Sequence, residues 1–325
     1  MENILEIRGL VVHYSSDGKT VHAINNLSLS MPKGEILGLV GETGAGKTTL
    51  ALSTLGMIQA PQGHIDAGEI LFEGRSIRSL KKDELKNIRG KEIAMIFQDP
   101  MTSLNPLITV GEQIAETVRL HENCSIKDSW KRADEMLELV GITASRSEEY
   151  PHQFSGGMKQ RVIIAIALAC NPKLLLADEP TTALDVTIQA QVLDMMRNLI
   201  KKMGTSVLFI THDLGIVAEN CDRVATMYAG EVVEYGTIKQ VFGFPRHPYT
   251  IGLFGSLPDL DVGSERLKPI PGLMPDPTNL PDGCYFAPRC PKATELCRSS
   301  HPSDVLIDGH LVKCHYPRMN EEAQS

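Results

Sequence analysis

The chain has 325 residues, of which 42% are hydrophobic and 22% are charged, and its formal net charge is −8. This length allows more than one domain, and the composition is ordinary for a globular protein. The acidic balance, without any basic run, argues against nucleic acid as a partner. The longest apolar stretch, around residues 162–170, is too short to span a bilayer, and the first residues show no signal-peptide pattern, so we expect a cytosolic protein.

Tyr14 is the first candidate site residue along the chain. It follows a strand-like stretch and precedes the polar loop at residues 15–19. Its ring can stack on the adenine of a nucleotide, and the alternative is an aromatic side chain that packs inside the fold.

Residues 41–48 match the pattern of a phosphate-binding loop without a gap. Glycines let backbone N–H groups crowd an anion, Lys47 supplies a charge to the β- and γ-phosphates, and the Thr48 hydroxyl is a ligand for Mg²⁺. An apolar run at 36–40 predicts a buried strand before the loop, and residues 48–57 predict a helix after it. The candidate ATP-binding residues of this motif are Gly41, Glu42, Thr43, Gly44, Ala45, Gly46, Lys47, Thr48 and Thr49.

Three further short apolar runs each end at polar residues. They span residues 93–97, 174–177 and 207–210, and they are followed by Gln98, by Asp178 with Glu179, and by Thr211 with His212. Parallel strands with carboxyl ends that line a ligand crevice show this pattern, although any one of these polar residues alone is compatible with an ordinary strand end.

The charge and the length of these side chains suggest their roles. Asp178 is expected to hold Mg²⁺, through water, and Glu179 to orient and polarise the attacking water. Gln98 and His212 are candidates for sensing the γ-phosphate and the metal. We therefore predict Glu179, His212 and Gln98 as catalytic residues, with Mg²⁺ near Thr48, Gln98 and Asp178.

Residues 154–160, Phe-Ser-Gly-Gly-Met-Lys-Gln, resemble the Leu-Ser-Gly-Gly-Gln signature of the ABC-transporter ATPases, with Phe154 and Met158 as departures. The glycines open an apolar helix, and a glycine-rich helix N-terminus is an anion site. The resemblance implies that Ser155, Gly156 and Gly157 face the ATP held by another subunit. It also implies a Q-loop at Gln98, a D-loop at residues 183–185 ending in Asp185, a switch at His212 and an adenine contact at Tyr14.

The residues at 97–106 and the His-Pro-Tyr-Thr at 247–250 resemble the oligopeptide and dipeptide importers of that family. Nickel importers share this organisation, so the solute is open. In the family, the loop after Gln98 helps to form a groove for a transmembrane partner, and a plain surface loop is the alternative.

The fold class implied is α/β. It comprises a P-loop NTPase (RecA-like) ABC ATPase core with an antiparallel β subdomain, a helical subdomain and a small irregular C-terminal module. We place the ATP-binding core at residues 1–99 and 155–244 and the helical subdomain at 100–154. Within the latter, an apolar stripe at helical spacing predicts a core-facing helix over 127–140. The C-terminal module is placed at 245–325, where twelve of the 19 prolines lie.

Four of the seven cysteines fall in this last segment: Cys284, Cys290, Cys297 and Cys314. A cytosolic location disfavours disulfides, and four thiolates in a proline-rich segment suggest a metal centre. The spacing lacks the Cys-x-x-Cys pairs of most zinc sites, and all-cysteine ligation suits a [4Fe–4S] cluster as well as Zn²⁺. Resemblance to peptide-importer ATPases favours the iron–sulfur cluster, with Zn²⁺ or no metal as alternatives.

The resemblance implies ATP and Mg²⁺ as cofactors and import of di- or oligopeptides as the function. One phosphate loop and one signature call for a second, related ATPase subunit, in a heterodimer or a homodimer. Two transmembrane permease subunits and, indirectly, an extracytoplasmic solute-binding protein complete the expected assembly, with this chain peripheral on the cytoplasmic face of the membrane. Alternatives are a nickel or other small-solute importer, a soluble ABC ATPase acting on DNA or ribosomes, and a small P-loop kinase or GTPase.

Overall fold

The computed structural model describes residues 2–16, 18–98, 103–181, 184–256 and 269–319. It forms two compact units built from interleaved segments of the chain. The first unit comprises Met1–Leu5, Met31–Ile36 and Phe72–Ile210, and the second comprises Glu6–Ser30, Leu37–Leu71 and Thr211–Ser325.

The strands and helices of the described residues alternate along most of the chain. In chain order, the strands are β1 (Asn3–Ser16), β2 (Lys19–Pro32), β3 (Ile36–Val40), β4 (Gly63–Phe72), β5 (Arg75–Ser76), β6 (Ile93–Ile96), β7 (Leu174–Asp178), β8 (Ser206–Ile210), β9 (Arg223–Tyr228), β10 (Glu231–Thr237), β11 (Asp304–Ile307) and β12 (His310–Lys313). The helices are α1 (Lys47–Thr54), α2 (Lys82–Ile88), α3 (Val110–His121), α4 (Ile126–Leu139), α5 (Gly156–Leu168), α6 (Val186–Met203), α7 (Leu214–Asn220), α8 (Ile238–Gly243), α9 (Pro248–Phe254) and α10 (Glu295–Ser299).

In the first unit, β6, β7 and β8 form a parallel array with β7 in the middle. Every residue of β7 and β8 is buried, which explains why their sequences are continuous apolar runs. The first of the three strands ends one residue earlier than the sequence predicts, because Phe97 is 43% exposed and lies outside the ladder. The carboxyl ends of the three strands therefore lie along one edge.

Helices α3 and α4 of the first unit begin at side-chain caps. The Thr109 hydroxyl accepts a hydrogen bond from the Glu112 N–H at the start of α3, and the Ser125 hydroxyl accepts one from Asp128 at the start of α4. α3 packs on α4, and both contact α5. The helix predicted over 127–140 is therefore present as α4, and its apolar stripe is buried at Ala133, Met136 and Leu137.

In the second unit, β3 pairs in parallel with β9, and β9 pairs in antiparallel fashion with β10. The proline-rich C-terminal segment then adds two more antiparallel strands, because β12 pairs with β10 and β11 pairs with β12. The register places Tyr235 opposite Leu311 and Glu234 opposite Val312. Residues 304–313 thus belong to a sheet of this unit.

β2, β1 and β4 lie side by side in that order. Along β2, Leu27, Leu29 and Met31 are buried while Ser28 and Ser30 are exposed, which is the alternation of a strand with one face on the core. The α/β class predicted from the sequence is confirmed. Among the helices of the described residues, none combines the length and apolar character that crossing a bilayer requires.

Candidate nucleotide site

The phosphate loop of the second unit joins the buried strand β3 to helix α1. Close backbone approach makes glycine necessary at its two ends. A Cβ on Gly41 would lie 2.2 Å from the Met227 carbonyl oxygen, and one on Gly46 would lie 2.4 Å from the Ala23 carbonyl oxygen. Gly46 also has a φ of 99°, which L-residues rarely adopt. The helix starts at Lys47, one residue before its predicted start, and ends at Thr54, three residues before its predicted end, shortly ahead of Gly56.

Lys47 lies folded against the loop that precedes it. Its ammonium donates to the carbonyl oxygens of Gly41 at 2.7 Å and of Glu42 at 3.0 Å, and the residue is only 8% exposed. The loop is braced further by the Ala45 N–H, which donates to the Glu42 carbonyl, and by the Gly230 N–H, which donates to the Ala45 carbonyl. A buried cation is thereby held at the N-terminus of a helix, which is an anion-binding arrangement.

The other predicted loop residues differ in exposure. Thr43, Gly44 and Thr48 are exposed, whereas Ala45 is fully buried and Thr49 is half-buried. Thr48 lies in the first turn of α1, and its role as a ligand for Mg²⁺ stays a prediction.

His212 and Tyr14 also belong to the second unit. The Thr211 N–H donates to the Leu39 carbonyl at 3.4 Å, so the exposed His212 follows directly beside the end of β3. Tyr14 lies in β1, and its Cε1 atom is 3.1 Å from the position that a Cβ on Gly63 would occupy. This contact agrees with the packed-aromatic interpretation of Tyr14, and its contact with adenine stays a prediction.

The first unit brings Gln98, Asp178 and Glu179 together at the carboxyl ends of β6 and β7. The Gln98 amide donates to the Glu179 carboxylate at 3.4 Å. Asp178 is 1% exposed and pairs in register with Ile210, whereas Glu179 is half-buried. Adjacent strand ends of a parallel array are where such sites lie in α/β folds.

Glu179 has an unusual backbone conformation. Its φ is +47°, in the left-handed region that costs a non-glycine residue on the order of 1 kcal/mol or more. Its N–H donates to the Ile210 carbonyl at 2.9 Å, which helps to hold this conformation. The strained turn directs the Glu179 side chain away from the direction that a continued strand would give it.

The residues that resemble the family signature lie at the start of α5. The Ser155 hydroxyl caps this helix by accepting from the Met158 N–H at 3.4 Å, and Ser155 is exposed. A Cβ on Gly157 would come within 2.4 Å of the Ile188 side chain of α6, so this glycine permits close helix packing. The exposed N-terminus of α5 offers backbone N–H groups to an anion.

The two departures from the signature share one neighbour. The Arg146 guanidinium lies 4.4 Å from the centre of the Phe154 ring and donates to the Met158 sulfur at 3.4 Å. Arg146 is a residue that sequence reasoning missed, because an arginine eight residues before the motif has no signal of its own. It supports both substituted positions at once.

Asp185, predicted in the D-loop, caps α6: its carboxylate accepts from the Ile188 N–H at 3.0 Å. Ala183 of the same loop lies outside the described residues, as do residues 99–102, which belong to the loop after Gln98. The predicted groove for a membrane partner in that loop is therefore not described.

Sequence reasoning also missed two partners of Glu42 in the C-terminal part of the chain. Arg289 donates to both Glu42 carboxylate oxygens, at 2.7 and 3.0 Å, and the Glu42 N–H donates to the Tyr249 hydroxyl at 3.0 Å. The sequence did offer one signal for these partners, which is Glu42 itself. A negative side chain inside a phosphate-binding loop needs a nearby cation if the loop is to bind a polyanion.

The prediction of an iron–sulfur cluster or another metal centre in the tail is wrong. The described residues contain no group of three or more His, Cys, Asp or Glu side chains able to hold a metal ion. Cys284, Cys290, Cys297 and Cys314 are free thiols that line a cavity of about 20 Å³ together with apolar side chains such as Phe286. Burial raises the pKa of Cys284 and Cys290, and that of Cys314 to about 11, so it favours the thiol over the thiolate that metals require.

Magnesium poses a different question, because Mg²⁺ uses one or two protein oxygens together with phosphates and water. Thr48 of the second unit carries a hydroxyl oxygen, and Gln98 and Asp178 of the first carry an amide and a carboxylate oxygen, each of a kind that binds Mg²⁺. That the three bind one ion stays a prediction.

Comparison with known families identifies two matching regions. Residues 24–182 match the model described as ABC transporter, and residues 233–297 match the one described as oligopeptide/dipeptide transporter, C-terminal region. The phosphate loop, the Asp178-Glu179 pair and the start of α5 lie in the first region, and Arg289 and Tyr249 lie in the second.

Comparison with individual proteins indicates the same family. The chain is 52% identical to the oligopeptide transport ATP-binding protein OppD of Bacillus subtilis, over 95% of this chain and 88% of that one. It is 46% identical to the dipeptide transport ATP-binding protein DppD of Escherichia coli, over 97% of both chains. A solved dimeric structure of the ATP-binding cassette MJ0796 in a post-hydrolysis state with ADP and Pi is 28% identical, with a TM-score of 0.64 over 72% of this chain and 98% of that one. The chain therefore belongs to the ABC transporter family, and it carries the C-terminal region of the oligopeptide/dipeptide transporters.

Proposed function

We propose that this chain hydrolyses ATP to power the import of dipeptides or oligopeptides through a multi-subunit ABC transporter. The observation that carries the proposal is the Asp178-Glu179 pair at the end of β7, with Gln98 hydrogen-bonded to Glu179. In a family of ATP-driven transporters, these are the groups that a water attacking a γ-phosphate needs. Relatives that match almost the whole chain and transport peptides support the substrate class.

Each residue has a distinct task in this reaction. Lys47 and the N–H groups at the start of α1 bind the β- and γ-phosphates. Glu179 orients a water molecule in line with the γ-phosphorus and accepts its proton, and the bond to the bridging oxygen breaks to give ADP and phosphate. Thr48, Asp178 and Gln98 would hold Mg²⁺, which when bound neutralises charge on the phosphate oxygens. His212 is assigned to contact with the γ-phosphate.

We assign the start of α5 to the ATP of a second subunit. The N-terminus of α5, where Ser155 is exposed and Gly156 and Gly157 are half-buried, attracts phosphate oxygens. Since the sequence contains one phosphate loop and one signature, a complete pair of sites needs two ATPase subunits. We propose a heterodimer with a related chain. The dimeric state of the similar cassette supports the pairing of two such subunits.

The remaining partners are two transmembrane permease subunits and, indirectly, a solute-binding protein. The described helices provide no membrane span, so the path for the peptide is assigned to other chains. This subunit would act at the cytoplasmic face of the membrane, where ATP is present.

The test is ATP hydrolysis by the chain alone and in vesicles with the permease subunits, a second ATPase subunit and a binding protein. We expect slow hydrolysis by the isolated chain and strong stimulation by a peptide-loaded binding protein. If nickel stimulates ATP hydrolysis and no peptide does, the transported solute would be nickel instead of a peptide. Equal activity with and without the membrane subunits would contradict a transport function.

A further inference from the structure

Glu42 places a negative charge inside the loop that receives the phosphates. Glu42 follows Gly41 directly in the chain, and its backbone carbonyl oxygen accepts a hydrogen bond from the Lys47 ammonium at 3.0 Å. A carboxylate within several ångströms of a nucleotide triphosphate repels it, and the repulsion is stronger where protein replaces water. An unpaired Glu42 would therefore oppose ATP binding.

Arg289 offsets this charge with a fixed geometry. Two of its nitrogens donate to the two Glu42 oxygens, at 2.7 and 3.0 Å, and its side chain is only 5% exposed. The guanidinium is held from behind, because its Nε donates to the Pro271 carbonyl at 2.9 Å and its Cζ lies 5.8 Å from the centre of the Tyr228 ring. A bidentate pair with a fixed arginine holds the carboxylate in one position and offsets its charge.

Tyr249 fixes the backbone at the same residue. Its hydroxyl oxygen accepts from the Glu42 N–H at 3.0 Å, and its ring is fully buried between Tyr228 and Phe286. The side chain and the N–H of Glu42 are thus held from the C-terminal part of the chain, while its carbonyl is held by Lys47. Movement of Arg289 or Tyr249 would be transmitted to the lysine that binds phosphate.

Near Thr43 and Gly44 the loop faces open space. Both residues are exposed and border a cavity of about 680 Å³ that is also lined by residues 272–277. The hydrogen bonds of Arg289 and Tyr249 to Glu42 therefore act on the loop next to its exposed stretch.

We propose that Arg289 and Tyr249 are positioning residues for ATP: they neutralise and orient Glu42, and so make nucleotide affinity depend on the C-terminal segment. The proposal rests on the ATP-binding function proposed above and adds a role for the region after residue 245. The contrasting view is that this pair only fastens the tail to the core, in which case its loss would lower stability but leave ATP affinity unchanged.

The experiment measures ATP affinity by calorimetry, steady-state hydrolysis and thermal unfolding on the full chain. Arg289→Ala removes a charge-assisted pair, so we expect the Kd for ATP to rise roughly tenfold or more. In steady-state hydrolysis the KM should rise while kcat stays unchanged. Tyr249→Phe removes one neutral hydrogen bond, and we expect a rise of about two- to tenfold. Arg298→Ala, an exposed arginine of the same segment, and Tyr285→Phe are the matched controls and should bind ATP as the wild type does.

The deciding variant is the double change Arg289→Ala with Glu42→Gln. If the charge of Glu42 is what Arg289 offsets, the double variant should recover most of the lost affinity, even though it forms no ion pair. Wild-type affinity in Arg289→Ala, or a loss of affinity that Glu42→Gln leaves untouched, would overturn the proposal. Should Arg289→Ala not fold, Arg289→Lys keeps the charge without the fork, and it must bind ATP more weakly than the wild type. Failure of the wild-type chain to bind ATP would instead count against the proposed function.

Discussion

The phosphate loop and the end of β7 are held by different kinds of contact. The loop is fixed by residues distant in sequence, since Met227, Gly230, Tyr249 and Arg289 all contact it. The Glu179 carboxylate, in contrast, meets Gln98 through a long hydrogen bond of 3.4 Å and extends from a strained backbone. We propose that ATP binding depends on this braced, charge-balanced loop, whereas hydrolysis depends on the Glu179 carboxylate. Binding and hydrolysis should therefore be separable by mutation.

The largest effect is expected for Glu179→Gln. The amide keeps the shape but loses the basic oxygen that orients water, so hydrolysis should fall by about 10²–10⁴. ATP affinity should stay near that of the wild type, and ATP should trap a dimer. Rapid-quench and binding measurements on one preparation check this, and near-normal turnover would remove Glu179 from its assigned role.

Ser155→Arg tests whether α5 serves a second subunit. The exposed N-terminus of α5 would be covered by a bulky cation, so ATP-dependent dimerisation should be lost while the monomer binds ATP normally. Loss of the cap also costs about 1 kcal/mol of stability. Ser155→Asp, which keeps a capping oxygen, is the control for that cost. A large fall in monomer affinity would place this helix at the chain's own nucleotide.

Gln98→Ala should have a smaller effect than Glu179→Gln, because its hydrogen bond to Glu179 is long. We expect a fall in hydrolysis of about tenfold with a modest loss of Mg²⁺ dependence. Titration of activity with Mg²⁺ measures both. A loss as large as that of Glu179→Gln would show that the two side chains act as one rigid unit.

The smallest effect concerns the attachment of the segment that supplies Arg289. His301 donates to Glu231 at 2.9 Å, and this hydrogen bond raises the pKa of His301 above its ordinary value. Burial and, to a smaller extent, the nearby charge of Lys313 act in the opposite direction. The protonated state is favoured by folding, so this stabilisation is complete below about pH 6.5 and is lost as the pH rises through the higher folded pKa. His301→Ala should therefore lower the melting temperature more at about pH 6 than at about pH 9. The exposed His22→Ala is the control, and equal losses at both pH values would contradict the linkage.

Contiguous motifs explain why part of this molecule could be predicted from its sequence. The strand, loop and helix around Lys47 and the strand that ends at Asp178 could be predicted, because an apolar run there is followed directly by residues typical of phosphate or metal binding. The α/β fold was predicted correctly. The pairing of Arg289 with Glu42 was not predictable, because the two are 247 positions apart and neither has a distinctive neighbour pattern.

The cysteine prediction was wrong for a related reason. Spacing along the chain does not report burial, and Cys297 is 7% exposed in a cavity with apolar walls. The pairing of β12 with β10 was also missed, since short strands in a proline-rich segment carry little periodicity. The roles of the individual site residues remain proposals that the variants above test.

The most direct measurement compares Glu179→Gln and Arg289→Ala in one experiment, with equilibrium ATP binding and single-turnover hydrolysis at saturating ATP. The account predicts a crossed result. Glu179→Gln keeps its Kd and loses its rate, whereas Arg289→Ala loses affinity by roughly tenfold or more and keeps its rate once ATP is bound. Parallel losses of affinity and rate in both variants would contradict the proposed separation of a binding role for the phosphate loop from a hydrolytic role for Glu179.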